Sequence, residues 1–303
     1  LKDLEKNVDV KSFNLIHAHF LFSDGGVAYK LKKKYGTNYI VAVRNTDINF
    51  FFKYALHVRN YGIKILKEAS KIIFISPSYK EYLFNKYIPK KYIQHFRKKS
   101  HVIPNGLDNY WLENMYFERP KKQNFESLNI ISVGDLNMNK NVLTSLKVIK
   151  LLKDKGYKVK FDIVGEGPLK KTISKLIGDL SLENDVKLHG YINNKDKLRD
   201  LYRKSDIYLM PSITETFGLV YIEAMSQGLP VIYSRNQGID GFFKEGHIGF
   251  SVEPSCPELI VGKIEEIIKS INNMSINAIN SVNEFNWFNI ADLYIKFYQR
   301  IEP

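Results

Sequence analysis

The sequence predicts an α/β protein built on parallel sheets, and three observations lead there. Short apolar runs of strand length recur along the chain and are continuous rather than alternating, as strands buried on both faces require. Stretches with apolar residues at helical spacing separate those runs, and strand–helix alternation is the pattern of a parallel sheet covered on both faces. With 303 residues and 44% hydrophobic content, the chain can fill two such cores.

The expected strands, in order, are Leu15–His19, Tyr39–Val43, Lys71–Ile75, Ile130–Val133, Lys158–Val164, Val186–His189, Ile207–Met210 and Pro230–Tyr233. The clearest helix runs from about Val142 to Lys153. It carries Val142, Leu146, Ile149 and Leu152 on one face, with Gly156 just beyond its end. A second starts near Gly218 and stops before Gly228. A last one spans roughly Trp287 to Ile301, with Trp287, Ala291, Tyr294 and Tyr298 at helical spacing. A break falls near residues 104–128, where Pro104-Asn105-Gly106 signals a turn and Pro120-Lys121-Lys122 precedes the next strand. Two α/β domains are expected, over 1–115 and 116–285.

Composition narrows the function. No run approaches the ~20 apolar residues that span a bilayer, and there is no secretory signal. The one cysteine, Cys256, excludes an internal disulfide and a cysteine-rich metal site, so a reducing cytoplasm is expected. The chain opens on Leu1, and its first strand comes early; an N-terminal piece is expected to be missing. Residues 1–115 hold 20 Lys/Arg against 9 Asp/Glu, while the rest is nearly balanced. A basic half suits an anionic membrane surface, a lipid diphosphate or nucleic acid; the plain alternative is a solvated lysine-rich surface. Nucleic-acid readout favours arginine and aromatics, yet residues 1–115 contain 17 Lys to 3 Arg, so no nucleic-acid partner is expected.

The residues that could carry chemistry cluster after strand ends. Glu215 and Glu223 flank Phe217-Gly218-Leu219 at the mouth of a helix, where free backbone N–H groups attract an anion. Paired carboxylates also occur in hydrolysis, but this placement suits binding: carboxylates accept sugar hydroxyls and amides hold phosphate. The bland reading is one exposed glutamate and one helix-capping glutamate. Gly134 follows a strand and Lys140 stands at a helix entrance, the parts of a diphosphate site, although such loops are common. Gly165-Glu166-Gly167-Pro168 reads alone as a turn. In His17-Ala18-His19, alternation sends both histidines to one face; no third ligand makes them a metal site. Arg44-Asn45-Thr46-Asp47 falls at the same expected sheet edge. There is no Asp-x-Asp, no Walker-type loop and no Gly-x-Ser-x-Gly elbow.

Together these residues resemble the retaining family 4 glycosyltransferases. The resemblance runs from Ile16-His17-Ala18-His19 through Val102–Asp108, Val133–Lys140, Ile163–Pro168 and His189-Gly190-Tyr191. It is strongest at Ser212–Val231, which carries the Glu-x7-Glu motif with its Glu-Ala-Met and Gly-x-Pro-Val continuation. It implies the GT-B architecture, two Rossmann-like domains facing a cleft, with the first incomplete here and the terminal segment 286–303 returning to it. It implies transfer of a sugar from a nucleoside-diphosphate donor to a glycan or lipid-linked acceptor, in assembly of a bacterial surface polysaccharide or glycolipid. The enzyme would be hexosyltransferase-like, without metal or cofactor, cytoplasmic and peripheral at the inner membrane face. A non-catalytic sugar-nucleotide binder is the first alternative, and a basic nucleic-acid-binding protein the more remote one. Glu215 would contact the donor sugar and His19 the sugar or acceptor. Phe217, Gly218 and Leu219 would offer backbone contacts, and Glu223 would hold the ribose. Lys140, beside Gly134, would neutralise the diphosphate. Gly190, Tyr191 and Ile192 would lie beside the base. Asp135 departs from the pattern, which has arginine at that position.

Overall fold

The computed structural model describes residues 2–300 of the chain. It divides into two compact units, Leu1–Asn105 with Trp287–Pro303, and Gly106–Asn286. The first join thus falls at 105/106 rather than 115/116. Residues 106–115 go with the second unit because they are fastened to it: Trp111 is buried against Tyr202, and the Asn114 carbonyl accepts from Arg203 (3.0 Å) and Gln227 (3.0 Å).

The first unit starts with a short helix α1 (Lys2–Asn7). Its four-stranded parallel sheet runs in the order β1 (Leu15–Ala18), β2 (Asn38–Val43), β3 (Lys71–Phe74), β4 (Ser100–Val102). Each crossover is helical: α2 (Asp24–Tyr35), α3 (Arg59–Glu68), then α4 (Pro77–Lys86) and α5 (Lys90–Lys99). Local chemistry sets their ends. Ser76 caps α4 by accepting from Tyr79 N–H, with Pro77 in the first turn, and Gly36 ends α2 in the left-handed conformation. Strand alternation divides the core. Tyr39, Val41, Val43, Ile72 and Phe74 pack under these helices, while Ile40, Ala42, Ile73 and Ile103 meet Ile290 of the terminal helix, Trp287–Gln299. The expected end of that helix, Ile301, lies outside the described residues.

The second unit opens on α6 (Asn109–Glu113). It continues β5 (Ser127–Val133), α7 (Val142–Asp154), β6 (Lys158–Val164), α8 (Lys170–Asp179), β7 (Val186–Gly190), α9 (Lys195–Lys204), β8 (Ile207–Leu209), α10 (Leu219–Ser226), β9 (Val231–Ser234), β10 (Gly249–Val252) and α11 (Pro257–Ser281). The six strands are parallel, in the order β10-β9-β8-β5-β6-β7. The chain winds outward from β5 in one direction, then returns to β8 and winds in the other. That is a doubly wound Rossmann-type sheet, with its switch point between β5 and β8. Leu146, Ile149 and Leu152 of α7 are fully buried on Leu128, Ile130, Phe161 and Ile163, the amphipathic face read from the sequence. Among the described residues, no helix is long and apolar enough to cross a membrane.

Candidate functional site

In an open parallel sheet, ligands bind outside the carboxyl ends of the strands at the switch point. A cavity of about 280 Å³ occupies that place in the second unit. Its wall includes Gly134 and Asp135 after β5, Gly165 after β6, Tyr191 and Ile192 after β7, and Glu223 on α10. The sequence reading assigned four of these six, Gly134, Tyr191, Ile192 and Glu223, to donor binding. The floor is tight because Gly165 approaches the backbone of Gly134: a Cβ at 165 would lie 1.9 Å from the Gly134 carbonyl oxygen. Gly165 N–H also donates to the Gly190 carbonyl (2.9 Å) and Gly134 N–H to that of Val164 (3.0 Å), so the ends of β5, β6 and β7 are laced together.

Glu223 sits mid-helix on α10, and its carboxylate accepts from the Tyr202 hydroxyl at 3.4 Å. Burial pushes its pKa up to about 7, against smaller opposing contributions from the Tyr202 hydrogen bond and Lys195. Tyr202 is itself fully buried, and its hydroxyl stays neutral and able to donate. A half-protonated carboxyl in a walled cavity is an acceptor for neutral hydroxyl groups. Asp135 is exposed on the same wall.

Glu215 and Lys140 meet directly. Lys140 Nζ lies 2.6 Å from Glu215 Oε2, with both side chains largely buried. Lys140 reaches it by running beside Gly134, where a Cβ would lie 3.5 Å from Lys140 Cε. Asparagines latch the two loops that carry the pair. Asn139 Nδ2 donates to the Thr214 carbonyl (2.7 Å) while its Oδ1 accepts from Thr214 N–H (2.9 Å), and Asn141 Nδ2 donates to the carbonyls of Pro211 (3.0 Å) and Pro254 (2.9 Å). Glu215 N–H donates to Gln237 Oε1 (3.1 Å) and Gly238 N–H to the Glu215 carbonyl (2.7 Å).

Helix α10 starts at Gly218, whose φ of +82° is left-handed and whose Cβ would lie 2.5 Å from the Tyr221 ring. Only glycine fits, and the turn leaves the N-terminus of α10 open beside Glu215. Leu219 occupies the first helical position. Phe217 points elsewhere: its ring is buried against Phe242 and Phe285, so only its backbone is free for a ligand. Gly190 ends β7 in the left-handed region, beside the Glu166 carboxylate.

The first unit holds a separate arrangement. The rings of His17 and His19 stack at 4.3 Å, on one face as alternation requires. His17 Nδ1 lies 2.8 Å from the Tyr298 hydroxyl, and burial lowers its pKa to about 4, so it is neutral. His19 is exposed, and its carbonyl accepts from Arg44 Nε (3.3 Å). Buried Asp47 fixes both loops by accepting from the N–H groups of Leu21 (3.0 Å), Phe22 (3.2 Å) and Arg44 (2.9 Å). A cavity of about 480 Å³ opens here, lined by His17, His19, Arg44, Trp287, Tyr294 and Tyr298.

Sequence reasoning missed Tyr202, Trp111, Lys195 and the asparagine latches. Lys195 and the Asn139/Asn141 pair stood within a few residues of recognised motifs, so their spacing was a usable signal. Tyr202 and Trp111 reach the site only through tertiary packing. Among the described residues, no group of three or more His, Cys, Asp or Glu is gathered as a metal site would need.

Comparison with known proteins gives the family and supports the fold. The family profile described as glycosyl transferases group 1 matches residues 116–280. An uncharacterized glycosyltransferase of Methanocaldococcus jannaschii is 24% identical over 283 residues, covering 88% of this chain and 70% of the relative. Alpha-monoglucosyldiacylglycerol synthase of Acholeplasma laidlawii is 23% identical over 288 residues, covering 87% and 67% respectively. The chain thus spans about two thirds of the length of these relatives. In fold it is similar to the crystal structure of HepE from Anabaena in complex with UDP, with a TM-score of 0.75 at 16% identity over 99% of this chain and 81% of that one.

Proposed function

The chain belongs to the glycosyl transferases group 1, and from that premise we propose that it moves a sugar from a nucleoside-diphosphate donor to a glycan or lipid-linked acceptor, with retention at the anomeric carbon. The observation that carries this reading is the buried Glu223 carboxyl, opening into a glycine-floored cavity at the switch point of a Rossmann-type sheet. Glu223 accepts the ribose hydroxyls. Tyr191, Ile192 and the backbone at Gly190 flank the base, and Gly134 allows the diphosphate close to the backbone. The N-terminus of α10 offers N–H groups at Gly218 and Leu219, with that of Phe217, to the diphosphate and sugar.

Lys140 stabilises the charge on the departing diphosphate, a contribution of about 3 kcal/mol for a preorganised donor. Its ammonium is paired with Glu215, which holds both groups in position. An arriving diphosphate shares Lys140, and Glu215 then faces the sugar, where it accepts a hydroxyl and stabilises positive charge at the anomeric carbon. The acceptor is assigned to the first unit, with exposed His19 contacting it or the donor sugar. The attacking hydroxyl enters on the face the diphosphate leaves, so no covalent intermediate with the protein and no metal is invoked.

The relative that synthesises alpha-monoglucosyldiacylglycerol gives a glycolipid as one acceptor class to test, beside a surface polysaccharide. The first unit's charge supports a membrane-borne acceptor at the inner face of a cell membrane. That unit carries 22 Lys/Arg and 9 Asp/Glu, whereas the second carries 23 of each. Between residues 53 and 99 the only carboxylates are Glu68 and Glu81, and both are ion-paired. Nearby, Phe50, Tyr54 and Leu56 are exposed by 56%, 65% and 62%, an apolar knob for a lipid interface. The test is a screen of nucleotide sugars against glycan and lipid acceptors by mass spectrometry. A glycosylated product supports the reading; nucleotide binding without transfer to any acceptor would favour a non-catalytic binder.

A further inference from the structure

A second cavity, of about 220 Å³, lies at the opposite edge of the second unit's sheet, by the amino ends of β5 and β8. Its lining brings together Arg119, Lys121, Lys122, Arg203, Lys204 and Asp206. The unit as a whole is electrically balanced, with 23 basic and 23 acidic residues, so five cations around one carboxylate is a local concentration.

The partners of each charge show how much stays uncompensated. Asp206 is engaged by Lys122 Nζ (2.9 Å) and by Asn129 N–H (2.8 Å). Among the described residues Arg119 has no carboxylate ion pair; it donates to the backbone carbonyls of Gln227 (3.0 Å), Arg203 and Ser205, and burial lowers its pKa against the opposing charge of Asp206. Arg203 donates to Gln227 Oε1 (2.9 Å) and the Asn114 carbonyl (3.0 Å). Those carbonyls belong mainly to the C-terminal ends of α9 and α10, whose partial negative charge accounts for the two arginines. Lys121 and Lys204 have no ion pair among the described residues. Exposed Lys121 and Lys204 are therefore the two cations of the concavity that neither a carboxylate nor those carbonyls compensate among the described residues.

We propose that this cavity binds a compact phosphate-bearing anion, independently of the donor cleft. At about 220 Å³ the concavity has room for a phosphate, diphosphate or small phosphomonoester. The ammonium groups of Lys121 and Lys204, at one concavity, are free to close on phosphate oxygens.

The probe is inorganic pyrophosphate, added to the full chain in 0.15 M KCl to screen diffuse binding and in saturating UDP to fill the donor cleft. The predicted result is a further rise in melting temperature of a few degrees on pyrophosphate addition at well above its Kd. That rise should be lost in Lys121→Glu/Lys204→Glu and kept in the charge-matched Lys171→Glu/Lys175→Glu on α8. The UDP-dependent rise should survive in both variants, which separates failure here from failure of the donor assignment. No pyrophosphate rise, or an equal rise in both double variants, overturns the proposal. If vesicles of phosphatidylglycerol displace pyrophosphate, the phosphate comes from a lipid head group; if they do not, from a soluble ligand.

Discussion

Glu223 combines a cost in stability with its proposed use in binding. Its pKa is about 7 in the folded chain and near 4.5 when exposed, so the native state holds the extra proton between those values. Stability contributed by the protonated form is fully present below pH 4.5 and is lost as pH rises through 7, an effect of about 3 kcal/mol. Glu223→Gln should therefore melt higher than the parent at pH 8 and equally at pH 4.5, as thermal denaturation at the two pH values will show. Asp135 gives a second residue-level test. It lies on the cavity wall, and a carboxylate beside a diphosphate is repulsive. Asp135→Arg should tighten UDP binding on the order of tenfold by calorimetry; unchanged or weaker binding would move the diphosphate away from this wall.

At the scale of elements, the site depends on how closely strand ends approach. Gly165→Ala forces a methyl against the Gly134 carbonyl, while Gly156→Ala has nothing within 4 Å of the added carbon. Both have positive φ. Chemical denaturation should show about 1 kcal/mol lost at 156 and about 3 kcal/mol or more at 165, with UDP binding impaired only at 165. The strands that frame the cavity were legible in the sequence because β8 is an apolar run, β5 carries Ile130-Ile131, and β6 alternates polar with apolar residues before Ile163-Val164. Two others were not. Ser100–Val102 is three residues long and opens on Ser-His, and Gly249–Val252 begins with glycine and contains a serine, so neither carries an apolar signal. The cavity-lining Gly134, Tyr191 and Ile192 were legible because motif and strand end coincide in sequence. The Lys140–Glu215 pairing was not, since it joins loops 75 residues apart and is set by the Asn139 and Asn141 latches. Phe217 shows the same limit: its position in the motif was clear, but only packing directs its ring into the core.

Across the whole molecule, charge and the switch-point cavity are divided between units. All of the net charge of +13 sits on the first unit, and that cavity on the second. Binding to vesicles containing anionic lipid should weaken as salt is raised, at about 1 kcal/mol per surface lysine. Replacing Lys90 and Lys91 with glutamate, or Phe50 and Leu56 with serine, should reduce it without altering UDP affinity in solution. Equal binding to neutral vesicles, or insensitivity to all four changes, would remove the membrane from the account. The central claim is narrower: the switch-point cavity of the second unit holds a nucleoside diphosphate through Glu223. The measurement that tests it most directly is calorimetric titration of UDP, with GDP and ADP in parallel, into the parent chain and Glu223→Gln. Saturable binding of at least one of the three, weakened about 10- to 100-fold in the variant, is the predicted result; no binding of any, or equal binding by both proteins, would contradict it.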